Sequence, residues 1–111
     1  MDATPREIEI YETPEGKRPF SEWLDSLRDS KTQGKIQTRI DRVEEGNLGN
    51  YRAVGQGVCE LKIDYGSGYR IYFGQIGSTV VLLCGGDKNT QEQDIRKAQE
   101  YWEEYKSNEN E

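Results

Sequence analysis

Polar and apolar positions alternate from Arg6 to Glu12, with Ile8 and Ile10 on one side, as in a strand with one buried face. Thr13-Pro14-Glu15-Gly16 is turn chemistry. Pro19 then suits the start of a helix in which Phe20, Trp23, Leu24 and Leu27 recur at helical spacing, running to about Arg28. A second helix is predicted from about Lys31 to Glu45. Ile36, Ile40 and Val43 make its apolar stripe, and Gly46-Asn47 ends it. From Tyr51 the pattern changes to strands, with Gly55 and Gly57 as interruptions before Val58 to Tyr65, Tyr69 to Gln75 and Thr79 to Cys84. Val80-Val81-Leu82-Leu83 does not alternate, so that strand should be covered on both faces and lie centrally. Asn89-Thr90 opens a closing helix with Ile95, Ala98, Trp102 and Tyr105 on one stripe.

The loop Gly66-Ser67-Gly68 suits a three-residue hairpin turn whose last position is left-handed. That loop sets Tyr65 opposite Tyr69, Asp64 opposite Arg70, Ile63 opposite Ile71, Lys62 opposite Tyr72 and Leu61 opposite Phe73. The apolar residues then share one face, whereas a one-residue slip would mix the two faces. The other face carries Glu60, Lys62, Asp64, Arg70 and Tyr72. Cross-strand salt bridging, Asp64 with Arg70 in particular, accounts for such a face without any function and contributes about 0.2–1 kcal/mol.

Composition narrows the possibilities. At 111 residues the chain fits one domain, spanning 1–111 with a core from about 6 to 106. Only 32% of residues are hydrophobic and 32% are charged, with mean hydropathy −1.00, which still leaves enough Ile, Val, Leu, Trp and Tyr for a small sheet core. No apolar run approaches the roughly 20 residues of a membrane span, and Met1-Asp2-Ala3-Thr4-Pro5 does not read as an export signal. A cytoplasmic protein without membrane association is expected. Cys59 and Cys84 lie in apolar strand-like runs and read as reduced core residues. The absence of histidine excludes Ser-His triads and histidine-rich metal centres, and no cofactor is expected.

The net charge of −6 argues by itself against a polyanionic partner, but the distribution is uneven. Residues 98–111 carry five glutamates against Lys106 alone, while residues 52–97 hold six basic and five acidic groups. Lys31, Lys35, Arg39 and Arg42 recur on one face of the second helix. Taken singly, each of these is first a solvated helix residue; together they are candidates for holding an RNA backbone.

Six segments then resemble one family in order and spacing. They are Tyr11-Glu12-Thr13, Pro19-Phe20-Ser21-Glu22-Trp23-Leu24, Gly46-Asn47-Leu48-Gly49, Gly57-Val58-Cys59-Glu60-Leu61-Lys62, Gly68-Tyr69-Arg70-Ile71-Tyr72-Phe73 and Gly85-Gly86-Asp87-Lys88. Over about residues 8–102 the chain resembles the phage-derived, HigB-like addiction-module killer proteins of the RelE/ParE superfamily. The resemblance implies an α+β, RelE-like fold: a small antiparallel sheet with an N-terminal strand and helical hairpin packed on it, and a C-terminal helix. It also implies the toxin of a type II toxin–antitoxin system, an endoribonuclease that cuts messenger RNA in the ribosomal A site. The implied partners are a cognate helix-turn-helix antitoxin and mRNA on the ribosome. Family members usually have Arg where Lys62 stands.

Metal-independent RNA cleavage uses the ribose 2′-hydroxyl as nucleophile, so a protein must accept that proton, protonate the leaving 5′-oxygen and stabilise charge on phosphorus. Arg70 is the first candidate for the phosphate because a guanidinium stays charged and grips two oxygens, with Lys62 and Lys88 in support. Proton transfer is left to Glu60, Tyr72, Asp87 or a lysine, or to positioning by the ribosome. Tyr72 is equally a candidate to stack on a base or a partly buried sheet tyrosine. Gln91 reads as a first-turn helix residue. Tyr101 and Tyr105 are candidate docking points for the partner. Two other readings stand beside this one: a ParE-like gyrase inhibitor, and an inactive toxin-fold protein that only binds its antitoxin.

Overall fold

The structure, a computed structural model, describes residues 5–109. Its elements run β1 (Glu7–Ile10), α1 (Pro19–Ser26), α2 (Ser30–Glu44), β2 (Tyr51–Ala53), β3 (Cys59–Ile63), β4 (Tyr69–Ile76), β5 (Thr79–Asp87), a single 3₁₀ turn (Lys88–Thr90) and α3 (Gln91–Glu109). The five strands form one sheet in the order β1-β5-β4-β3-β2. The expected α+β class holds. The sheet is mixed, because β1 pairs parallel to β5 while every other pair is antiparallel. Residues 11–78 separate those two strands, so no turn chemistry fixes their direction. Among the described residues no helix is long and apolar enough to cross a membrane.

The helical hairpin is locked by side chains. Asp29 caps α2 by accepting from the Lys31 amide at 3.1 Å and from the Thr32 hydroxyl at 2.9 Å. Gln33 reaches back to the Leu24 and Leu27 carbonyls at 3.0 and 2.6 Å, closing the end of α1. Phe20, Ile36, Ile40 and Val43 then pack on Leu61, Ile63, Ile71, Phe73, Val80 and Leu82 on one face of the sheet. On the other face, Ala98 and Trp102 of α3 pack on Tyr11, Val58, Tyr72, Val81, Leu83 and Cys84. With helices on both faces, β5 is buried from Val80 to Gly86, as its unbroken apolar run required.

A bulge joins the two layers. β4 and β5 change register between Tyr72 and Phe73, leaving Leu83 without a partner, so Leu83 and Cys84 both face α3. Beyond it Gly85 faces α1, where a Cβ would collide with Trp23, and Gly86 faces α3, where a Cβ would collide with Asp94. The glycine pair therefore lets a helix approach each side of the same strand. Both cysteines are free, with Cys84 buried and its thiol pushed up to about 12 by burial and the Asp94 charge.

The β3–β4 register differs from the expected one by two residues. Cys59 pairs with Phe73, Glu60 with Tyr72, Leu61 with Ile71, Lys62 with Arg70 and Ile63 with Tyr69. Asp64 thus stands in the loop and not opposite Arg70. A two-residue shift keeps every side chain on its face, so hydrophobic alternation cannot distinguish the alternatives. The loop decides. Tyr65 folds out of the ladder, its amide donating to Ile63 and its carbonyl accepting from Gly68, both at 3.0 Å, with Gly66 and Gly68 at φ +60° and +90°. Its ring packs beside the core under Lys35, whose Nζ lies 5.5 Å from the ring centre.

Candidate functional site

The polar face of β3 and β4 lies on the α3 side of the sheet, at the end that α3 leaves open. α3 follows β5 after the single 3₁₀ turn and packs on β5 and β4, so Glu60 and Arg70 are covered at their margin by its first turn. Glu60 is 4% exposed and Arg70 9%. One oxygen of Glu60 accepts from Arg52 Nε of β2 at 2.9 Å. The other accepts from Tyr72 Oη at 3.0 Å and Gln91 Nε2 at 2.8 Å, and lies 3.6 Å from Arg70 Nε. Burial raises the Glu60 carboxyl, but hydrogen bonds from Arg52, Gln91 and Tyr72 outweigh it and leave the group below the usual carboxylate range. A carboxylate so well satisfied is a poor proton acceptor and a good anchor.

Arg70 is the less satisfied partner. Its Nε and Nη1 are buried without a hydrogen-bond acceptor. Buried donors of a guanidinium normally find partners; Nε has the Glu60 carboxylate 3.6 Å away, so Nη1 is the donor that marks a place for an anion. A cleft of about 350 Å³ opens there, lined by Asn50, Tyr51, Arg52, Glu60, Lys62, Arg70 and Gln91. Three neighbouring clefts share residues with it. One of about 250 Å³ lies along the hairpin loop and shares Lys62 and Arg70 while adding Lys88. One of about 380 Å³ lies between α2 and the hairpin, sharing Asn50 and Lys62 and adding Lys35, Arg39 and Arg42. The last, also about 380 Å³, shares Gln91 with the first cleft and Lys88 with the hairpin-loop cleft, and adds Arg96. Together they form a groove lined by Lys35, Arg39, Arg42, Arg52, Lys62, Arg70, Lys88 and Arg96, against Glu60, Asp64 and Glu92.

Several sequence candidates meet in this groove. Lys62, exposed on β3, and Lys88, exposed in the 3₁₀ turn, flank Arg70 along the hairpin cleft. Lys62 also lies 3.8 Å from Asp64, an exposed pair. Lys35 and Arg42 line the α2 side. Arg39 lines it too, but its guanidinium donates to the Leu48 carbonyl and, at 3.4 Å, to that of Asn47, which fixes the loop after α2. Lys31 is exposed on α2 outside the groove lining. Tyr72 is fully buried, so its ring offers no open face for a base, and burial together with the Glu60 charge raises its phenol. Asp87 caps the 3₁₀ turn, accepting from the amides of Asn89 at 2.8 Å and Thr90 at 3.3 Å. Tyr101 packs 5.2 Å from Tyr11, and Tyr105 stacks on Trp102 at 5.3 Å, so both belong to the α3 packing layer.

Arg52 escaped the sequence reading and Gln91 was discounted by it. A signal for Arg52 existed: in the Gly55-Gln56-Gly57 turn, Arg52 and Glu60 are equidistant from Gln56, and they are cross-strand partners in the β2–β3 ladder. Gln91 could be placed only once the start of α3 was known relative to β3.

The model of the family described as Phage derived protein Gp49-like (DUF891) matches residues 22–103, a span that includes the whole Glu60–Arg70 cluster, all of α2 and parts of α1 and α3. The chain belongs to this Gp49-like family. The family falls within the RelE-like addiction-module killer group. A protein of Haemophilus influenzae, described as uncharacterized, is 48% identical over 80 residues, covering 71% of this chain and 81% of its own length.

Proposed function

We propose that this Gp49-like chain is the toxin of a type II toxin–antitoxin pair and cleaves mRNA on the ribosome, without a metal, by attack of a ribose 2′-hydroxyl on the adjacent phosphorus. The observation that carries this reading is the Arg70 guanidinium, nine-tenths buried, whose Nη1 has no hydrogen-bond partner and whose Nε meets Glu60 only at 3.6 Å, between two clefts that Arg52, Lys62 and Lys88 also line. In the reaction the 2′-hydroxyl gives up its proton as its oxygen bonds to phosphorus, the P–O5′ bond breaks and the leaving 5′-oxygen takes up a proton, leaving a 2′,3′-cyclic phosphate on one fragment and a 5′-hydroxyl on the other. Arg70, aided by Lys62 and Lys88, stabilises the negative charge that grows on the non-bridging oxygens, and it is held in place beforehand by Glu60. Positioning of the message by the ribosome supplies in-line geometry.

The net charge of −6 is compatible with an RNA partner because the acids are displaced. Exposed Glu7, Glu9, Glu12 and Glu15 lie on and after β1, at the opposite edge of the sheet from β2. Local cation density, not total charge, sets phosphate affinity. An active toxin must be kept inert, so a cognate antitoxin of the helix-turn-helix kind completes the system.

The test is induction of the chain alone, followed by cleavage of a reporter mRNA in a translating extract. Growth should arrest and the message should be cut. Arg70→Ala with Lys88→Ala should reduce cleavage by more than about 100-fold while thermal unfolding stays cooperative. Full toxicity in that double variant overturns the site. Arrest without RNA cleavage turns the reading toward a gyrase inhibitor, and no arrest toward a protein that only binds its antitoxin.

A further inference from the structure

Arg52 and Arg70 stand on β2 and β4, one on each side of β3, and both turn toward Glu60 between them. The carboxylate uses one oxygen for each arginine, and its second oxygen is also held by Tyr72 and Gln91. This arrangement fixes the two guanidiniums without saturating them. Arg52 is pinned through Nε alone while its side chain remains 63% exposed, so its outer nitrogens stay available. Arg70 is inclined between two clefts. Its Nε faces Glu60 in the cleft that Arg52 also lines, and its Nη1 lies toward the hairpin loop, 4.0 Å from where a Cβ on Gly68 would stand. The second cleft lies on that loop side and is lined by Lys88. Lys62 borders both.

We infer that the site grips two successive phosphates of one strand, one in each cleft, with Arg70 between them and Arg52 as the binding residue of the outer cleft. Glu60 is the positioning residue for both arginines. The inference rests on the proposed RNA-cleaving reading and gives it a substrate geometry: a nucleoside carrying phosphates on both its 3′ and 5′ oxygens, not an isolated phosphate. Two anions of like charge so close together need cations between and beside them, and Arg70, Lys62, Arg52 and Lys88 are distributed in that way. The buried carboxylate restricts the arginine rotamers before the ligand arrives, so less entropy is lost on binding.

The experiment uses the purified full chain with its arginine side chains labelled with ¹⁵N. It is titrated with inorganic phosphate, adenosine 5′-monophosphate and adenosine 3′,5′-bisphosphate. The bisphosphate should bind about tenfold or more tighter than the monophosphate, from the added charge-assisted contacts, and should shift the Nε–H resonances of both Arg52 and Arg70. Arg52→Ala should erase that preference, leaving the bisphosphate bound no tighter than the monophosphate. Arg52→Gln, which can still donate to Glu60, should lose it equally. An unchanged preference in Arg52→Ala, or an unmoved Arg52 resonance at saturation, overturns the inference. So does loss of preference in Arg52→Ala but not in Arg52→Gln, because Arg52 would then act only as support for Glu60. Cleavage of reporter mRNA by the same preparation separates the two claims. Cleavage without bisphosphate preference sinks the two-phosphate geometry alone, whereas preference without cleavage sinks the proposed activity alone.

Discussion

The two faces of the β3–β4 ladder have the same backbone and opposite fates. Leu61, Ile63, Ile71 and Phe73 lie under α1 and α2 in a continuous apolar layer. Glu60, Tyr72 and Arg70, on the reverse, are also nearly sealed from solvent, yet they form an ion cluster. The difference is in what covers them. The helical hairpin lays a full apolar stripe on its face, while α3 spends its apolar residues chiefly on β5 and β4 and reaches β3 through Gln91. Burial without apolar partners requires that each charge find an opposite charge: Glu60 answers that in part for Arg70, and the exposed Arg52 helps to answer it for Glu60. The residual unsatisfied donors of Arg70 are where stability was not completed and where a ligand could complete it.

The largest effect should come from breaking the apolar face. Phe20 is 2% exposed at its centre, and Phe20→Ala should cost about 3–5 kcal/mol in chemical denaturation through lost burial and the cavity left behind. A loss under about 1 kcal/mol would mean that α1 is loosely attached and that the two faces are more alike than described.

Breaking the polar face should cost somewhat less. Glu60→Ala leaves Tyr72 without its acceptor and Arg70 without a counter-charge, a loss of roughly 3 kcal/mol, whereas Glu60→Gln keeps the shape and should lose less. Denaturation midpoints of the two variants measure this. Equal stability of wild type and Glu60→Ala would show that the cluster is solvated.

A smaller difference should appear in alkali, and only on the α3 side. Tyr11 and Tyr72, both in that layer, have phenols raised above their ordinary value of 10.0, first by burial and then by Glu104 and Glu60 respectively. The unfolded chain therefore releases these protons before the folded one. Their contribution is complete below pH 10 and declines as pH rises beyond it. Urea titrations between pH 8 and 11 should show that decline, and Tyr72→Phe should make it shallower. A slope unchanged in that variant would place the alkaline sensitivity elsewhere.

Legibility followed the range of the interactions. The stripes of α1, α2 and α3 and the dry central run of β5 could be read because they are periodic within one segment. So could the shared face of Glu60, Lys62, Arg70 and Tyr72, since strand parity is local. The pairing of Arg70 could not. Asp64 was expected opposite it and stands instead in the loop, because Tyr65 left the ladder to pack beneath Lys35 of a helix some thirty residues earlier in the chain. Arg52 was half legible, through its placement with Glu60 at equal distances from Gln56.

By itself the sequence determined which residues face each side of the sheet, how many helices cover it and, through its ordered motifs, the group to which the chain is similar. Tertiary structure decided the parallel placement of β1, the two-residue register of the hairpin and the choice of Glu60 as the carboxylate that holds Arg52 and Arg70. The physical reason is common to all three. Hydrophobic periodicity fixes orientation within an element, but shifts by two residues or reversals of direction leave that periodicity intact. Only contacts between distant segments distinguish them, and the site is built from those contacts.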